Sequence, residues 1–222
     1  MSKRFFEGVT YLKGDFKGLM PRYYPEKYKK YVKEEVFLLK KKINGANKVL
    51  EAGVGIGRLI PELSPIVKEF IGIDNSQFML KKSELVANNY KNVKIFDLEI
   101  EKLNEKFPEK YFDYSLCVWN TLGNVKSEVN VLIELNKVTK YSIFITVFHK
   151  GTIKDRLDFY KHVDVDVQKI DEKKEIFYLK GYKSKTFNLE DIKKIAEKAG
   201  LKVKDSKVLG EVILWVELVN KN

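Results

Sequence analysis

The stretch VLEAGVGIGRL at residues 49–59 combines an apolar run, one acidic residue and three closely spaced glycines. A loop of this kind after the first strand of an open α/β sheet is a ligand-binding loop. The dinucleotide fingerprint requires glycine at its first, third and sixth positions. Gly53 and Gly55 satisfy the pattern, but the sixth position is Arg58. Because the Glu51 carboxylate would repel a pyrophosphate, the loop favours a positively charged ligand over a dinucleotide.

Two further acidic residues end the predicted strands that follow this loop. IGIDNS places Asp74 at the end of the second strand, and KIFDLE places Asp97 at the end of the third. Each aspartate alone could simply cap the following helix. Their order on consecutive strands instead favours a common site, because ligands bind at the carboxyl ends of such strands.

The glycine loop and the two aspartates together resemble motifs of class I S-adenosylmethionine-dependent methyltransferases, over residues 45–150. The resemblance implies S-adenosylmethionine as cofactor, with Asp74 on both ribose hydroxyls, Asp97 on the adenine amino group and the Leu98 backbone amide on the ring. A carboxylate suits the ribose because it accepts two hydrogen bonds at once. The resulting set of predicted cofactor-binding residues is Glu51, Gly53, Gly55, Gly57, Arg58, Asp74, Asn75, Asp97, Leu98, Val118, Trp119 and Tyr24.

The segment CVWNTLGNV after the fourth strand resembles small-molecule N-methyltransferases of the glycine and sarcosine type. By that likeness Val118 and Trp119 line the cofactor pocket, and Asn120 reaches the substrate or the transferred methyl group, with Thr121 beside it. Alternatively, Trp119 is a core residue and Asn120 caps a turn. The segment lacks the Asn/Asp-Pro-Pro-Tyr/Phe signature of amino-directed nucleic-acid methyltransferases. The expected reaction is therefore in-line methyl transfer to a small molecule, at an amine nitrogen.

His149 and several N-terminal tyrosines are further candidates for the site. His149 follows the fifth strand on the expected ligand side, so it is a candidate catalytic base beside Asn120, or an ordinary strand-end residue. Aromatic residues before the glycine loop could form a lid, although packing of an amphipathic helix would also explain them. These residues are Tyr11, Tyr23, Tyr24 and Tyr28.

The elements that position these residues alternate between near-continuous apolar strands and helices, which predicts a doubly wound α/β fold. We expect a mostly parallel seven-stranded sheet with an antiparallel last strand. A single methyltransferase domain at 1–222 would comprise an N-terminal helical or lid segment (1–44), a cofactor-binding core (45–150), an insertion (150–185), and a C-terminal helix with two strands (186–222).

The insertion is predicted to be a β-hairpin, because HVDVDVQKI alternates strictly between apolar and polar residues. Its apolar face would consist of Val163, Val165 and Val167. Such a face must pack on something, so we expect the hairpin to cover the substrate pocket.

Composition narrows the remaining functional classes. The net charge is +11, yet only four of the 42 basic residues are arginine, and the lysines are mixed with acidic residues. A solvated surface is favoured over a nucleic-acid face, although RNA or protein methylation, or cofactor binding without turnover, stay open as alternatives. With one cysteine and two histidines we expect no metal site, no disulfide framework and no membrane segment. A cytoplasmic monomer or homodimer acting on a small molecule is the expectation.

Overall fold

A seven-stranded sheet forms the centre of the protein in a computed structural model that describes Gly18 and residues 20–221. Its strands are β1 (Lys48–Ala52), β2 (Glu69–Asp74), β3 (Val93–Asp97), β4 (Phe112–Cys117), β5 (Thr139–Phe148), β9 (Leu201–Leu209) and β10 (Ile213–Asn220). A second sheet contains β6 (Val167–Asp171), β7 (Ile176–Leu179) and β8 (Tyr182–Lys185).

The order of the strands in the large sheet is β3-β2-β1-β4-β5-β10-β9. Strands β1 to β5 pair in parallel, whereas β10 runs antiparallel to both β5 and β9. The predicted fold class is confirmed, including the antiparallel last strand. Between β1 and β4 the strand order changes direction, which is where open α/β sheets form their binding crevice.

Helices cover both faces of the large sheet and enclose two apolar cores. One core involves α1 (Glu26–Ile43), α2 (Ile60–Leu63) and α3 (Gln77–Ala87), and the other involves α4 (Leu103–Lys106), α6 (Glu128–Val138) and α8 (Leu189–Lys198). Two remaining helices, α5 (Thr121–Asn124) and α7 (Ile153–His162), lie near the carboxyl ends of the strands.

Two helices begin at capping side chains, and one of them ends at a glycine. The Ser76 side chain caps α3 by accepting from the Met79 amide, and Asn188 forms a capping box with Asp191 at the start of α8. Gly200 follows α8 with a φ of +72°, the left-handed conformation that favours glycine after a helix.

The insertion differs from the predicted hairpin. Residues 153–162 form helix α7, and the strands after it make a three-stranded antiparallel meander because Gly181 (φ +89°) turns the chain between β7 and β8. The predicted strand at 162–170 begins only at Val167. Val163 nevertheless packs in the core next to the partly buried Val165 and Val167, so the apolar side of the segment was predicted correctly.

The turn between β9 and β10 approaches helix α1 very closely. Gly210 has a φ of +55°, and its amide donates to the Glu34 carboxylate at 2.8 Å. A β-carbon at this position would overlap the Lys27 carbonyl oxygen and lie 2.8 Å from the Tyr31 β-carbon. Only glycine allows helix and turn to meet at this distance.

We expect Gly210→Ala to lower the free energy of unfolding by about 3 kcal/mol, because backbone strain and overlap with backbone atoms add together. Gly45→Ala is the matched control: its φ is +77°, but nothing lies within 4 Å of the added carbon, so only about 1 kcal/mol is expected. Urea unfolding of the two variants measures the difference, and equal losses would contradict the proposed close approach.

Candidate active site

A cavity of about 270 Å³ lies at the carboxyl ends of the central strands. One side is formed by the loop after β1 and by residues that follow β2 and β3; the other is formed by the end of β5, α7 and β8. The predicted site residues that line it are Glu51, Gly53, Gly55, Arg58, Asp74, Asn75, Leu98, Val118, Trp119 and Asn120.

Each glycine of the loop has a left-handed backbone conformation, but their surroundings differ. A β-carbon on Gly53 would lie 2.8 Å from the Thr121 hydroxyl oxygen, so this position accepts no side chain. Gly55 has open space around the same position, which leaves its backbone accessible from the cavity. Gly57 lies outside the cavity lining and packs against Ile60. Its role is to shape the turn.

Glu51 is a buried acid at the base of the cavity. Its side chain is 3% exposed, and Oε2 has no hydrogen-bond partner among the described residues. Burial raises the pKa of this carboxyl to about 8, although the nearby Arg58 charge acts in the opposite direction. An unpaired acceptor of this kind favours a cationic or hydrogen-donating group in the cavity.

Asp74 accepts two backbone hydrogen bonds at the end of β2. The Gly55 amide donates to Oδ2 at 3.0 Å, and the Ser76 amide donates to Oδ1 at 2.9 Å. Burial raises the pKa of Asp74 above its usual value, with the backbone hydrogen bonds opposing that shift. Each oxygen keeps a lone pair, so the carboxylate can still accept from two further donors.

The end of β3 differs in detail from the prediction. The Asp97 side chain is exposed, accepts from Gln77 at 2.7 Å and lies outside the cavity lining. The Leu98 amide, expected to contact a ligand, donates to the Asp74 carbonyl at 3.0 Å instead. The parallel pairing of β2 and β3 continues one residue beyond β3, so the Leu98 amide is already hydrogen-bonded to β2. Glu99, which the sequence analysis missed, lines the cavity.

Trp119 and Asn120 follow β4 in left-handed conformations, with φ values of +53° and +59°. Two consecutive non-glycine residues in this region are uncommon and tend to occur at functional sites. The Trp119 ring stacks between Tyr24 and Tyr31, with centroid distances of 5.0 and 5.4 Å. Tyr24 thus lies behind Trp119 and outside the cavity lining, rather than in the pocket as predicted.

The Asn120 side chain is 2% exposed and fully engaged. Its amide nitrogen donates to the Ser184 hydroxyl at 2.9 Å and to the Lys185 carbonyl at 3.2 Å, and its oxygen accepts from the Phe148 amide at 3.1 Å. These bonds tie β4 and β5 to β8. The expected contact of Asn120 with a transferred group stays a prediction.

An ion pair that the sequence analysis missed joins the glycine loop to α1. Arg58 donates to the Glu35 carboxylate at 2.6 Å, and Glu35 is fully buried. The same carboxylate accepts from Tyr31 and from the Thr146 hydroxyl, the latter at 2.9 Å. The Lys- and Glu-rich composition of α1 indicates a solvated helix, which concealed this buried position.

His149 lies outside the cavity, contrary to its predicted position on the ligand side. Successive side chains of a strand alternate in direction. Because Phe148 lines the cavity, the next residue points elsewhere, and His149 pairs through its backbone with Phe187 and Val212. Among the other lid candidates, Tyr28 is buried in the core and Tyr23 is exposed, whereas Tyr11 lies outside the described residues.

Other classes of site are not supported within the described residues. Cys117 is buried, and burial raises the pKa of its thiol to about 12, so it is an unreactive core residue. Residues 20–221 contain no cluster of three or more histidine, cysteine or acidic side chains suited to a metal. None of the helices in that range has the length and apolar content that crossing a bilayer requires.

Comparison with known proteins gives a sequence match for the part of the chain that contains the glycine loop and Asp74. Residues 49–141 match a family model described as a methyltransferase domain. Phosphoethanolamine N-methyltransferase 3 of Arabidopsis thaliana is 32% identical over 108 residues, which are 46% of this chain and 22% of that protein. Phosphoethanolamine N-methyltransferase 1 of the same plant is 33% identical over 86 residues, which are 39% of this chain and 18% of that protein. The chain thus aligns with about a fifth of the length of these relatives.

Solved structures share the fold at low sequence identity. A S-adenosylmethionine-dependent methyltransferase from Aquifex aeolicus superposes with a TM-score of 0.65 at 19% identity, covering 88% of this chain and 93% of that one. The 1,6-didemethyltoxoflavin-N1-methyltransferase of Burkholderia thailandensis was solved with S-adenosylhomocysteine. It superposes with a TM-score of 0.66 at 14% identity, covering 86% of this chain and 79% of that one. The protein therefore has the Rossmann-like fold of these methyltransferases.

The raised pKa of Glu51 predicts a pH-dependent stability. The folded protein holds the Glu51 proton up to about pH 8, whereas an unfolded glutamate releases it near about 4.3. The stabilisation from this proton is complete below the pKa of the unfolded glutamate. It is lost as the pH rises through the pKa of Glu51 in the folded protein. Glu51→Gln removes the titration, so we expect the variant to become the more stable form by roughly 1–4 kcal/mol at pH 9.

Urea unfolding between pH 5 and pH 9 measures this effect. Glu172→Gln, in the exposed turn between β6 and β7, is the control and should follow the wild-type profile. Parallel profiles for wild type and Glu51→Gln would show that Glu51 is ionised in the folded protein.

Proposed function

We propose that the protein is an S-adenosylmethionine-dependent methyltransferase that acts on the amine nitrogen of a small molecule. The observation that carries the proposal is the unpaired, buried Glu51 carboxyl beneath an accessible glycine loop, with the Asp74 carboxylate beside it. The methyltransferase-domain match over the same residues supports it.

The residues present fit this cofactor. Glu51 Oε2 lacks a partner and suits an ammonium group, and Asp74 retains acceptor capacity for two hydroxyl groups. Gly55 leaves room for close approach to its backbone. Leu98 and Met79 supply apolar contacts in the cavity lining, which suit a purine ring. The bound cofactor would supply an electrophilic methyl group on a sulfonium.

The remainder of the cavity suits a desolvated amine. Trp119, Phe148, Phe159 and Tyr160 form an aromatic wall beyond the glycine loop. An amine in this environment loses hydration, which lowers its pKa and favours the neutral, nucleophilic form. Orientation and exclusion of water are the main contributions that the chain must make to an in-line displacement. The amine-directed relatives from Arabidopsis thaliana agree with this proposal for the acceptor atom.

Asn120 acts, on this proposal, as a positioning residue. Its bonds to Phe148, Ser184 and Lys185 hold the acceptor side of the cavity at a fixed distance from the end of β4. The exposed Asp97 precedes the cavity-lining Leu98, and on this proposal its carboxylate would accept from an adenine amino group. Many lysines form surface ion pairs with acidic residues, for example Lys40 with Glu62. This pattern supports a small molecule over RNA as the substrate.

Cofactor binding tests the proposal directly. Isothermal titration should show binding of S-adenosylmethionine and S-adenosylhomocysteine, and no comparable binding of NAD. Asp74→Ala should weaken cofactor binding by about 1.5–3 kcal/mol, the range for hydrogen bonds to a charged group. Asp166→Ala, an exposed aspartate outside the cavity, should bind like wild type. Unchanged affinity in folded Asp74→Ala would disprove the ribose assignment.

Binding should also release a proton. At pH 7 the free protein holds Glu51 protonated, and a cationic amino group beside it would favour the carboxylate. We expect close to one proton to pass to the buffer per cofactor bound, and none in Glu51→Gln. Titration enthalpies in two buffers of different ionisation enthalpy measure the number. Proton uptake, or equal release in the variant, would contradict an ammonium contact at Glu51.

A further inference from the structure

Arg156 is a fully buried cation that lacks an anionic partner among the described residues. It lies on α7 with 0% exposure, and no carboxylate of the described residues forms a salt bridge with it. Buried charges in folded proteins are normally paired, because an isolated charge loses its hydration without compensation. Within residues 20–221, no carboxylate therefore compensates the charge of Arg156.

The immediate surroundings of Arg156 are aromatic rings and neutral oxygens. The guanidinium lies 3.9 Å from the Phe148 ring centroid and 4.2 Å from that of Phe177. Its Nε and Nη2 donate to the Tyr160 hydroxyl at 3.1 and 2.7 Å, and Nη2 also donates to the Ser184 carbonyl at 3.3 Å. Nη1 has no hydrogen-bond partner among the described residues. Cation–π contacts offset part of the desolvation but leave the charge in place.

The contacts from Arg156 determine what the Tyr160 hydroxyl can do. A tyrosine hydroxyl has one hydrogen to donate, and its oxygen already accepts twice from the guanidinium. Its own hydrogen must point away from the cation. Tyr160 lines the cavity, as do Phe148 and Ser184, which also touch Arg156. Tyr160 therefore connects the cavity lining to the buried positive charge of Arg156.

The acidic side chains of the cavity lining lie on one side of it. Glu51, Asp74, Glu99 and Glu101 lie at or after the ends of β1, β2 and β3. Two cations, Arg58 and Lys126, also line the cavity, and Arg58 is paired with Glu35. Arg156 lies on the other side of β4, beside β5 and the insertion. An acceptor molecule with an anionic group would be oriented with that group toward Tyr160 and away from the acids.

We infer that the methyl acceptor carries a phosphate or carboxylate group, which accepts a hydrogen bond from Tyr160 and whose charge is balanced by Arg156. This inference rests on the proposed function and assigns the acceptor class of the same site. Tyr160 contacts the acceptor; Arg156 acts through Tyr160 as a positioning residue.

Three amines on one 2-aminoethyl frame test the inference. Phosphoethanolamine carries a phosphate, β-alanine carries a carboxylate, and ethanolamine carries a neutral hydroxyl. Each is titrated into protein saturated with S-adenosylhomocysteine, and methyl transfer from S-adenosylmethionine is measured in parallel. At least one anionic amine should bind tenfold or more tightly than ethanolamine, and the preferred one identifies the anion.

Variants separate recognition from structure. Tyr160→Phe should weaken binding of the preferred anionic amine by about tenfold or more, and by a larger factor than it weakens binding of ethanolamine, with the S-adenosylhomocysteine affinity unchanged. Arg156→Met, in which an apolar side chain replaces the buried cation, should abolish the preference. Tyr141→Phe, which removes a hydroxyl from an exposed ring outside the cavity, is the matched control.

The outcomes are distinguishable. Equal binding of the three amines, failure of both anionic amines to bind, or an unchanged preference in Tyr160→Phe would overturn the inference while leaving the proposed function intact. If Tyr160→Phe lost affinity for all the ligands in parallel, Tyr160 and Arg156 would have a purely structural role, which would also overturn the inference. Failure of wild-type protein to bind S-adenosylhomocysteine would overturn the proposed function itself, and the inference with it.

Discussion

The salt bridge between Arg58 and Glu35 is the interaction on which the geometry of the cavity depends. It connects the loop after β1 to helix α1 at 2.6 Å, with the Glu35 carboxylate fully buried. A buried ion pair is stable only when further hydrogen bonds satisfy its remaining atoms. Tyr31 and the Thr146 hydroxyl supply these bonds to Glu35, and Thr146 in turn accepts from the Trp119 amide at 2.8 Å. One network thus holds α1, the glycine loop, β5 and the strained residue after β4.

The same ion pair explains why Glu51 is left without a partner. The Arg58 charge lowers the pKa of Glu51, but the Arg58 guanidinium donates to Glu35. The Glu35 and Asp74 charges also act to raise the Glu51 pKa. Burial is the main cause of the raised Glu51 pKa, and the opposing Arg58 charge does not offset it. A cationic ligand would restore the missing charge balance.

The sequence predicted those features that depend on local pattern. The alternation of strands and helices follows from the periodicity of apolar residues over short segments. Glu51 and Asp74 could be placed because strand ends converge at one edge of a parallel sheet. Helix α7 was missed because Thr152 provides no side-chain cap and the helix follows strand-like apolar residues. The burial of Glu35 could not be predicted, since its partners Arg58 and Thr146 are distant in sequence.

The two ends of the cavity are built from different parts of the chain, which limits what the comparisons can say about the substrate. The glycine loop, Asp74 and Trp119 lie within residues 49–141, the range of the family match. Phe148, Arg156, Tyr160 and Ser184 all follow that range. The large sheet fixes the positions of the first group, because these residues lie at or just after the ends of strands that pair in register. The second group depends on α7 and β8, which Asn120 ties to the sheet through Ser184. On the proposed function, the cofactor side of the cavity thus belongs to residues 49–141, and the acceptor side belongs largely to β5 and the insertion.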